Sequence, residues 1–402
     1  MASILLDWLS FLLRWGHILA AILWIGDSLL FMWIDSHLTP YPQAGRDVTG
    51  VTWLLHGGGY YQLEKRLLAP GRLPPTLRWF WLEATGTWIT GVLLLVLVYY
   101  LNANAFLVDR SIARLAPGQA IAVGLGMLAG GWLLYDGLWR SGLRHRPLAA
   151  VPLSLILAAG GGYAATHLLS ARAAFIHVGA MLGTIMAANV WVHILPPQRK
   201  MVQAAREGRQ IDYTLGAHAK TRSTHNTYLT FPVLFLMITQ HFPAVYVGPL
   251  NWLVLWLFIA VGAGLRHITL GGFRAGLAGL PIVAATAAAA IALVYLTVQP
   301  LPAPPPRTSR GAAIPPPAFT QVRMILVQRC AVCHSDSPTM PGITSAPNGV
   351  TMDTPEQIKG LALLIKARAA DDRSMPPGNI TEITEDERAA LRRWVEAGAP
   401  LK

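Results

Sequence analysis

Cys330-Ala-Val-Cys333-His334 is the densest piece of chemistry in the sequence, two thiols three residues apart followed at once by an imidazole. At that spacing both sulfurs can form thioethers to the vinyl groups of one haem while the histidine ligates its iron. A zinc site would need further ligands, and the chain has only these two cysteines. The sixth ligand is expected from a methionine further along. Met375, in Ser-Met-Pro-Pro-Gly, fits, with Met340 and Met352 as rivals. Paired prolines stiffen the segment presenting its thioether, and a last amphipathic helix follows, capped by Thr384 with Glu387 three residues on. Covalent haem c is therefore the expected cofactor, with His334 and Met375 as iron ligands.

A second set of imidazoles lies in apolar sequence. His17, His167, His177 and His241 fall toward one end of their segments, and His193, His225 and His267 toward the other. Such residues inside a membrane are costly and usually functional. His17, His177, His193, His225 and His241 are candidates to hold one or two b haems. The pairs 177/193 and 225/241 are each separated by about 24 Å along a helix, but by about 160° around it, so one helix does not serve two haems on one face. The alternative is that several are capping or interfacial histidines.

A third set suits a polar, anionic substrate. The stretch from Gly216 to Tyr228 gathers His218, Lys220, Thr221, Arg222 and His225, and His56 precedes three glycines and Tyr60-Tyr61. Arginine can pair bidentately with an anion, and Lys with Thr can relay a proton. Asp27 and Glu83 lie within apolar stretches where a carboxylate needs a reason. The candidate catalytic residues are thus Lys220, Thr221, Arg222, His218, His225, His56 and Asp27. A basic loop with capping threonines is the plainer account.

The elements that must position these groups are membrane helices. Of the 402 residues 53% are hydrophobic and only 13% charged, about half the charged share of a soluble protein. Eight runs approach the roughly 20 residues needed to span a bilayer, over 9–34, 78–101, 117–136, 147–169, 173–195, 226–243, 249–267 and 280–299. Residues 300–317 are proline-rich and read as an extended tether that shares no packing with the spans. The expected fold is all-α: an eight-span transmembrane bundle over 1–299, the linker 300–317, and a small class I-like cytochrome c domain over 318–402.

The net charge of +12 is not that of a nucleic-acid partner, because residues 318–402 are neutral, with ten Lys/Arg and ten Asp/Glu. Haem attachment places that domain in the bacterial periplasm, and eight spans then put the N-terminus there too. Loops on the opposite side hold fifteen Lys/Arg, including Arg46, Arg66, Arg72, Arg144, Lys200, Arg206 and Arg274. The periplasmic loops hold three, Arg110, Arg114 and Arg172. That bias agrees with an inner-membrane topology reached independently. The segments 15–34 and 175–194 echo one another, each with a histidine at its third position, which either a duplication or chance would produce.

WGHILAAILWIGDSLLFMWID, HGGGYY, THNTYLTFPVLFLMITQHFP and CAVCH occur in the order seen in the membrane-bound bacterial urate hydroxylases, the cytochrome c-coupled urate oxidases. The chain resembles that family over essentially its whole length. The resemblance implies oxidation of urate to 5-hydroxyisourate without hydrogen peroxide, with electrons passing through the fused haem to a soluble cytochrome or terminal oxidase of the respiratory chain. The first span is also similar to haem-binding membrane protoporphyrinogen oxidases. An oxidoreductase of that kind, a pure electron conduit fed by quinol, and a transporter fused to a cytochrome sensor are the other readings.

Overall fold

The computed structural model describes residues 2–42, 47–271, 279–298, 315–340, 343, 345–371 and 373–401. Arg46, Arg274 and residues 299–314 of the tether lie outside the described residues. The chain begins with the long helix α1 (Ala2–Ser36). A two-stranded antiparallel sheet follows, β1 (Val48–His56) and β2 (Gly59–Arg66), with His56 opposite Gly59. This corrects the all-α expectation and turns the HGGGYY loop into a hairpin tip. Gly57 and Gly58 have φ of 60° and 80°. A two-residue turn of that kind needs positive φ at both positions and matches the twist of the strands it joins.

Helix α2 (Leu82–Leu95) is prolonged by a π turn to Tyr100, and the short α3 (Ala103–Phe106) lies beyond it. Helices α4 (Pro117–Arg140) and α5 (Pro147–Leu168) each open on proline, whose fixed φ and missing N–H suit a first helical position. Ser170 caps α6 (Ala171–Ala188), which continues through a π turn, Asn189–Ile194, into α7 (Leu195–Arg206) as one rod. Then come α8 (Tyr213–Thr239), α9 (Pro243–Tyr246), α10 (Asn251–Gly271) and α11 (Leu280–Val298).

Seven of the described helices are long and apolar enough to cross a membrane. They correspond to seven of the eight expected spans. The remaining one, 226–243, falls on α8, which is 27 residues long but carries His218, Lys220, Arg222 and His225 in its first half. Those polar residues lower its mean hydropathy; Arg222 faces other helices, whereas His218 and Lys220 are exposed. The centre of the bundle is α6, whose Phe175 and Val178 pack with Leu236 of α8 and Leu255 of α10.

The tail has a core of its own. Phe319, Val322 and Leu326 of α12 (Phe319–Arg329) meet Ile358 of α13 (Pro355–Gly360), Ile365 of α14 (Ala362–Ile365), and Leu391 and Trp394 of α15 (Glu385–Glu396). Each large apolar side chain so buried contributes about 1.5–3 kcal/mol. The expected cap is present, Thr384 Oγ1 accepting from Glu387 N at 3.2 Å while Glu387 accepts from Thr384 N at 2.7 Å. The tail also touches the bundle: Arg110 Nη1 meets Glu382 Oε1 at 2.9 Å, and Gly378 lies against the Val108 carbonyl. The end of the bundle nearest these contacts is the tail end below, and the other is the hairpin end.

Candidate functional site

At the hairpin end a cavity of about 320 Å³ opens between α1, the segment leading into α2, the α6–α7 rod and α8. Its walls are aromatic, with Trp24 and Phe31 from α1 and Trp79 and Phe80 from the segment before α2. The polar lining is sparse. Asp27 comes from α1, Arg78 from the segment before α2, Gln198 from α7, and Ser223, Asn226 and Thr230 from α8. Successive helical residues turn by about 100°, which brings 223, 226 and 230 onto one stripe. Among the described residues the side chains of Asp27, Arg78, Gln198 and Ser223 make no hydrogen bond or ion pair with protein. Glu83, close enough to act electrostatically on Asp27, has a buried Oε2 without a partner. A concave, mostly apolar space with a few uncommitted polar groups is the usual form of a small-molecule site. A shallower depression of about 400 Å³, lined by Trp81, Arg199 and Arg206, shares Trp79 with it.

Behind the cavity the polar groups engage one another, with only Asn189 Oδ1 and Arg222 Nη1 of the groups named next left buried without a partner. Asp136 of α4, only 7% exposed, accepts from Arg222 Nη2 at 3.1 Å and forms ion pairs with Arg140 Nε at 2.7 Å and His193 Nε2. Arg222 also lies over the Tyr135 ring, 5.0 Å from its centroid. Tyr135 Oη is 2.7 Å from His225 Nδ1 and accepts from Asn189 Nδ2 at 3.1 Å. Asn189 Nδ2 also reaches Asn226 Oδ1 at 2.9 Å, and Asn226 Nδ2 donates to the Met186 carbonyl. The π turn supplies both Asn189 and His193, and such turns recur at functional sites because they re-aim side chains. Asn226 belongs to both systems. It fixes the cavity wall to the network behind it.

The stretch from Gly216 to Tyr228 is therefore helix, not loop. Asp212 starts α8 by accepting from Thr214 N at 2.9 Å, and the Thr214 hydroxyl and amide hold its carboxyl below the usual range. Helical spacing scatters the residues expected to act together. Arg222 and His225 turn inward toward α4. Lys220 is exposed and bonds Asp35 at 3.0 Å, Thr221 donates to the Ala217 carbonyl, and His218 is exposed. His56 stands at the exposed hairpin tip with no side-chain partner among the described residues. Of the catalytic candidates, Asp27 alone lines the cavity. Arg78, Gln198, Ser223 and the Tyr135–Asp136–Asn189 group were not anticipated. Asp136 could have been, as a lone acid within Trp132-Leu-Leu-Tyr-Asp136-Gly.

The tail residues suit the covalent haem expected of them. Cys330 and Cys333 are both free, and burial pushes the Cys330 thiol up to about 12. His334 Nδ1 lies 3.0 Å from the Val350 carbonyl, so it carries the proton and leaves Nε2 for iron. Met375 is clasped at its backbone, with its N donating to Arg368 O and its carbonyl accepting from Arg388 Nη1 at 2.9 Å. Met352, by contrast, is buried in the tail core.

The five histidines considered for b haems do not meet one another. His17 Nδ1 lies 3.0 Å from the Thr87 carbonyl, and His177, wholly buried, places Nδ1 2.8 Å from the Ala173 carbonyl. His177 Nε2 faces Tyr100 Oη at 3.3 Å and is packed so closely on Gly124 that a Cβ there would stand 2.6 Å away. His193 and His225 belong to the network just described, and His241 is exposed. None of them lines either cavity.

Long apolar helices around a buried polar core, with a ligand-sized cavity at one end, define a helical bundle compatible with life in a membrane. The chain belongs to the urate oxidase N-terminal family, whose description matches residues 3–298. Membership points to an oxidoreductase acting on urate. No curated protein and no solved structure matches the chain.

Proposed function

We propose that the protein is a membrane urate hydroxylase that oxidises urate in the α1–α8 cavity and passes the electrons to a haem c held by its own tail. The observation that carries this reading is the set of uncommitted polar groups between aromatic walls, in a chain of the urate oxidase N-terminal family. Urate is a flat bicyclic anion, and the cavity pairs Trp and Phe faces with one guanidinium. A tetrapyrrole is far bulkier, which disfavours the porphyrinogen reading.

The reaction removes two electrons and two protons as water adds to C5, giving 5-hydroxyisourate. In this reading Arg78 holds the anionic edge of the purine, and the aromatic walls fix its plane. Asp27, backed by Glu83, takes the proton lost during oxidation, and the Ser223 hydroxyl orients the attacking water. Asn226, immobilised by Asn189 and the Met186 carbonyl, sets the position of that wall. Cys330 and Cys333 would bind haem c covalently, with His334 and Met375 holding its iron. That group would supply a one-electron acceptor that replaces oxygen, reached across the bundle through one or two b haems that the intramembrane histidines would hold, so no hydrogen peroxide forms. The fifteen-to-three excess of Lys/Arg in the loops of the sequence supports a cytoplasmic cavity and a periplasmic tail, with a soluble cytochrome or terminal oxidase downstream.

Anaerobic mixing of the purified protein with urate tests the reading. Haem c absorbance should pass to the ferrous form without added quinol, and aerobic turnover should release no peroxide. An unreduced haem, or one peroxide per urate, would overturn it.

A further inference from the structure

The tail packs on the bundle through a small surface of unusual closeness. Gly378, three residues after Met375, has φ +56°, and its backbone lies against the carbonyl oxygen of Val108 and near that of Ala105. A Cβ at 378 would collide with the Val108 oxygen. Only glycine allows both this conformation and this approach. Beside it the exposed pair Arg110–Glu382 joins the two parts at 2.9 Å.

The surface beneath is continuous with the interior. The Leu107 carbonyl accepts from Ser170 N at 2.9 Å, and the Phe106 carbonyl from Ser170 Oγ at 2.7 Å. Ser170 caps α6, and Arg172 in the first turn lies over the rings of Phe106 (5.4 Å) and Tyr99 (5.8 Å). Tyr99 meets Phe106 edge-on at 6.4 Å and His177 edge-on at 6.0 Å. Packed protein thus runs from the Met375 loop to the buried centre of α6.

We propose that the platform 103–110 is the electron-loading dock of the tail, and that it receives the tail by its Met375–Glu382 edge. This rests on the proposed function. Urate gives up two electrons and ferric haem c takes one, so each turnover loads the tail twice, with reoxidation by the downstream acceptor between. Gly378 sets how closely the two parts approach. Arg110 and Glu382 set the orientation, because an exposed pair steers encounter more than it adds affinity.

The test uses the full-length protein carrying its haem. Gly378→Val should slow urate-driven reduction of haem c severalfold, since its side chain would collide with the Val108 carbonyl and force the two surfaces apart. Its absorption spectrum and dithionite reduction should not change. Gly378→Val could instead disturb the haem loop itself, so Arg110→Glu and Glu382→Arg supply the second arm. Each should slow reduction severalfold at low salt, and the double exchange should restore it to within about twofold. Hydrogen exchange gives a readout independent of turnover. The amides of 103–110 should be protected in the wild type and lose protection in Gly378→Val and in each single charge variant. Wild-type reduction rates and unchanged protection in all these variants would overturn the dock while leaving the proposed function standing. If urate fails to reduce haem c in the wild type, the function falls first, and the loading role with it.

Discussion

Arg222 and Asp136 meet inside the bundle at 3.1 Å, each less than a tenth exposed, and their pairing ties α8 to α4 directly behind the cavity. A buried ion pair is fragile in a particular sense. Losing one partner strands the other, at a cost of about 3–5 kcal/mol, whereas replacing both by apolar residues of similar size is often neutral. Asp136→Ala, which strands Arg222, should therefore lower the thermal midpoint in detergent by more than Asp136→Leu with Arg222→Met together, and by more than Arg222→Ala, after which Asp136 keeps Arg140 and His193. Additive losses in the double variant would show that the pair is not the unit described.

Arg78 should govern binding. A charge-assisted hydrogen bond contributes about 1.5–3 kcal/mol, so Arg78→Ala should raise KM for urate by roughly tenfold or more and leave kcat nearly unchanged. Lys220→Ala, which removes only an exposed contact to Asp35, should differ little from the wild type. The reverse ranking in steady-state kinetics would move the anion site to the start of α8.

Asp27 should govern the chemical step. General-base catalysis is worth about 10²–10⁴-fold, so Asp27→Asn should lower kcat by about a hundredfold with little change in KM. Glu83→Gln should act in the same direction but less, since Glu83 does not line the cavity. An Asp27→Asn protein with normal single-turnover rates would remove it from proton transfer.

Met375→Ala should leave haem covalently attached through Cys330 and Cys333 while abolishing the thioether–iron absorption band and lowering the potential. Persistence of that band would hand the role to Met340 or Met352, although the burial of Met352 in the tail core argues against it.

Periodicity and length located seven helices in the sequence, all close to their bounds except the expected span 173–195, whose helix runs on to Arg206, because apolar runs of about 20 have few alternatives to a span. The hairpin was legible but missed. Val48-Thr-Gly-Val-Thr-Trp, two glycines and Tyr60-Tyr61 are β-branched and aromatic residues flanking a two-residue turn. The cavity was only partly legible. Asp27 stood out as an acid in apolar surroundings, but Arg78 and Ser223 are ordinary residues that only the packing of α8 near α1 and the segment before α2 brings together. Reading the Gly216–Tyr228 stretch as a loop hid its 3.6-residue period, so inward Arg222 and outward Lys220 were grouped as neighbours.

The rod formed by α6, its π turn and α7 runs 36 residues, Ala171–Arg206, without a break. At 1.5 Å per residue it is about 54 Å long, well beyond the roughly 30 Å of a hydrocarbon core. Gln198, on the cavity wall, lies about 40 Å from the start of that rod. In the proposed topology, with the start of the rod at the opposite membrane face, the mouth of the cavity would stand clear of the acyl chains. An ion approaching it would keep its hydration shell until Arg78 is at hand to replace that shell. It would not meet the tens of kcal/mol that an unpaired charge faces in oil. In that topology the length of one helix lets the substrate be drawn from water rather than from lipid.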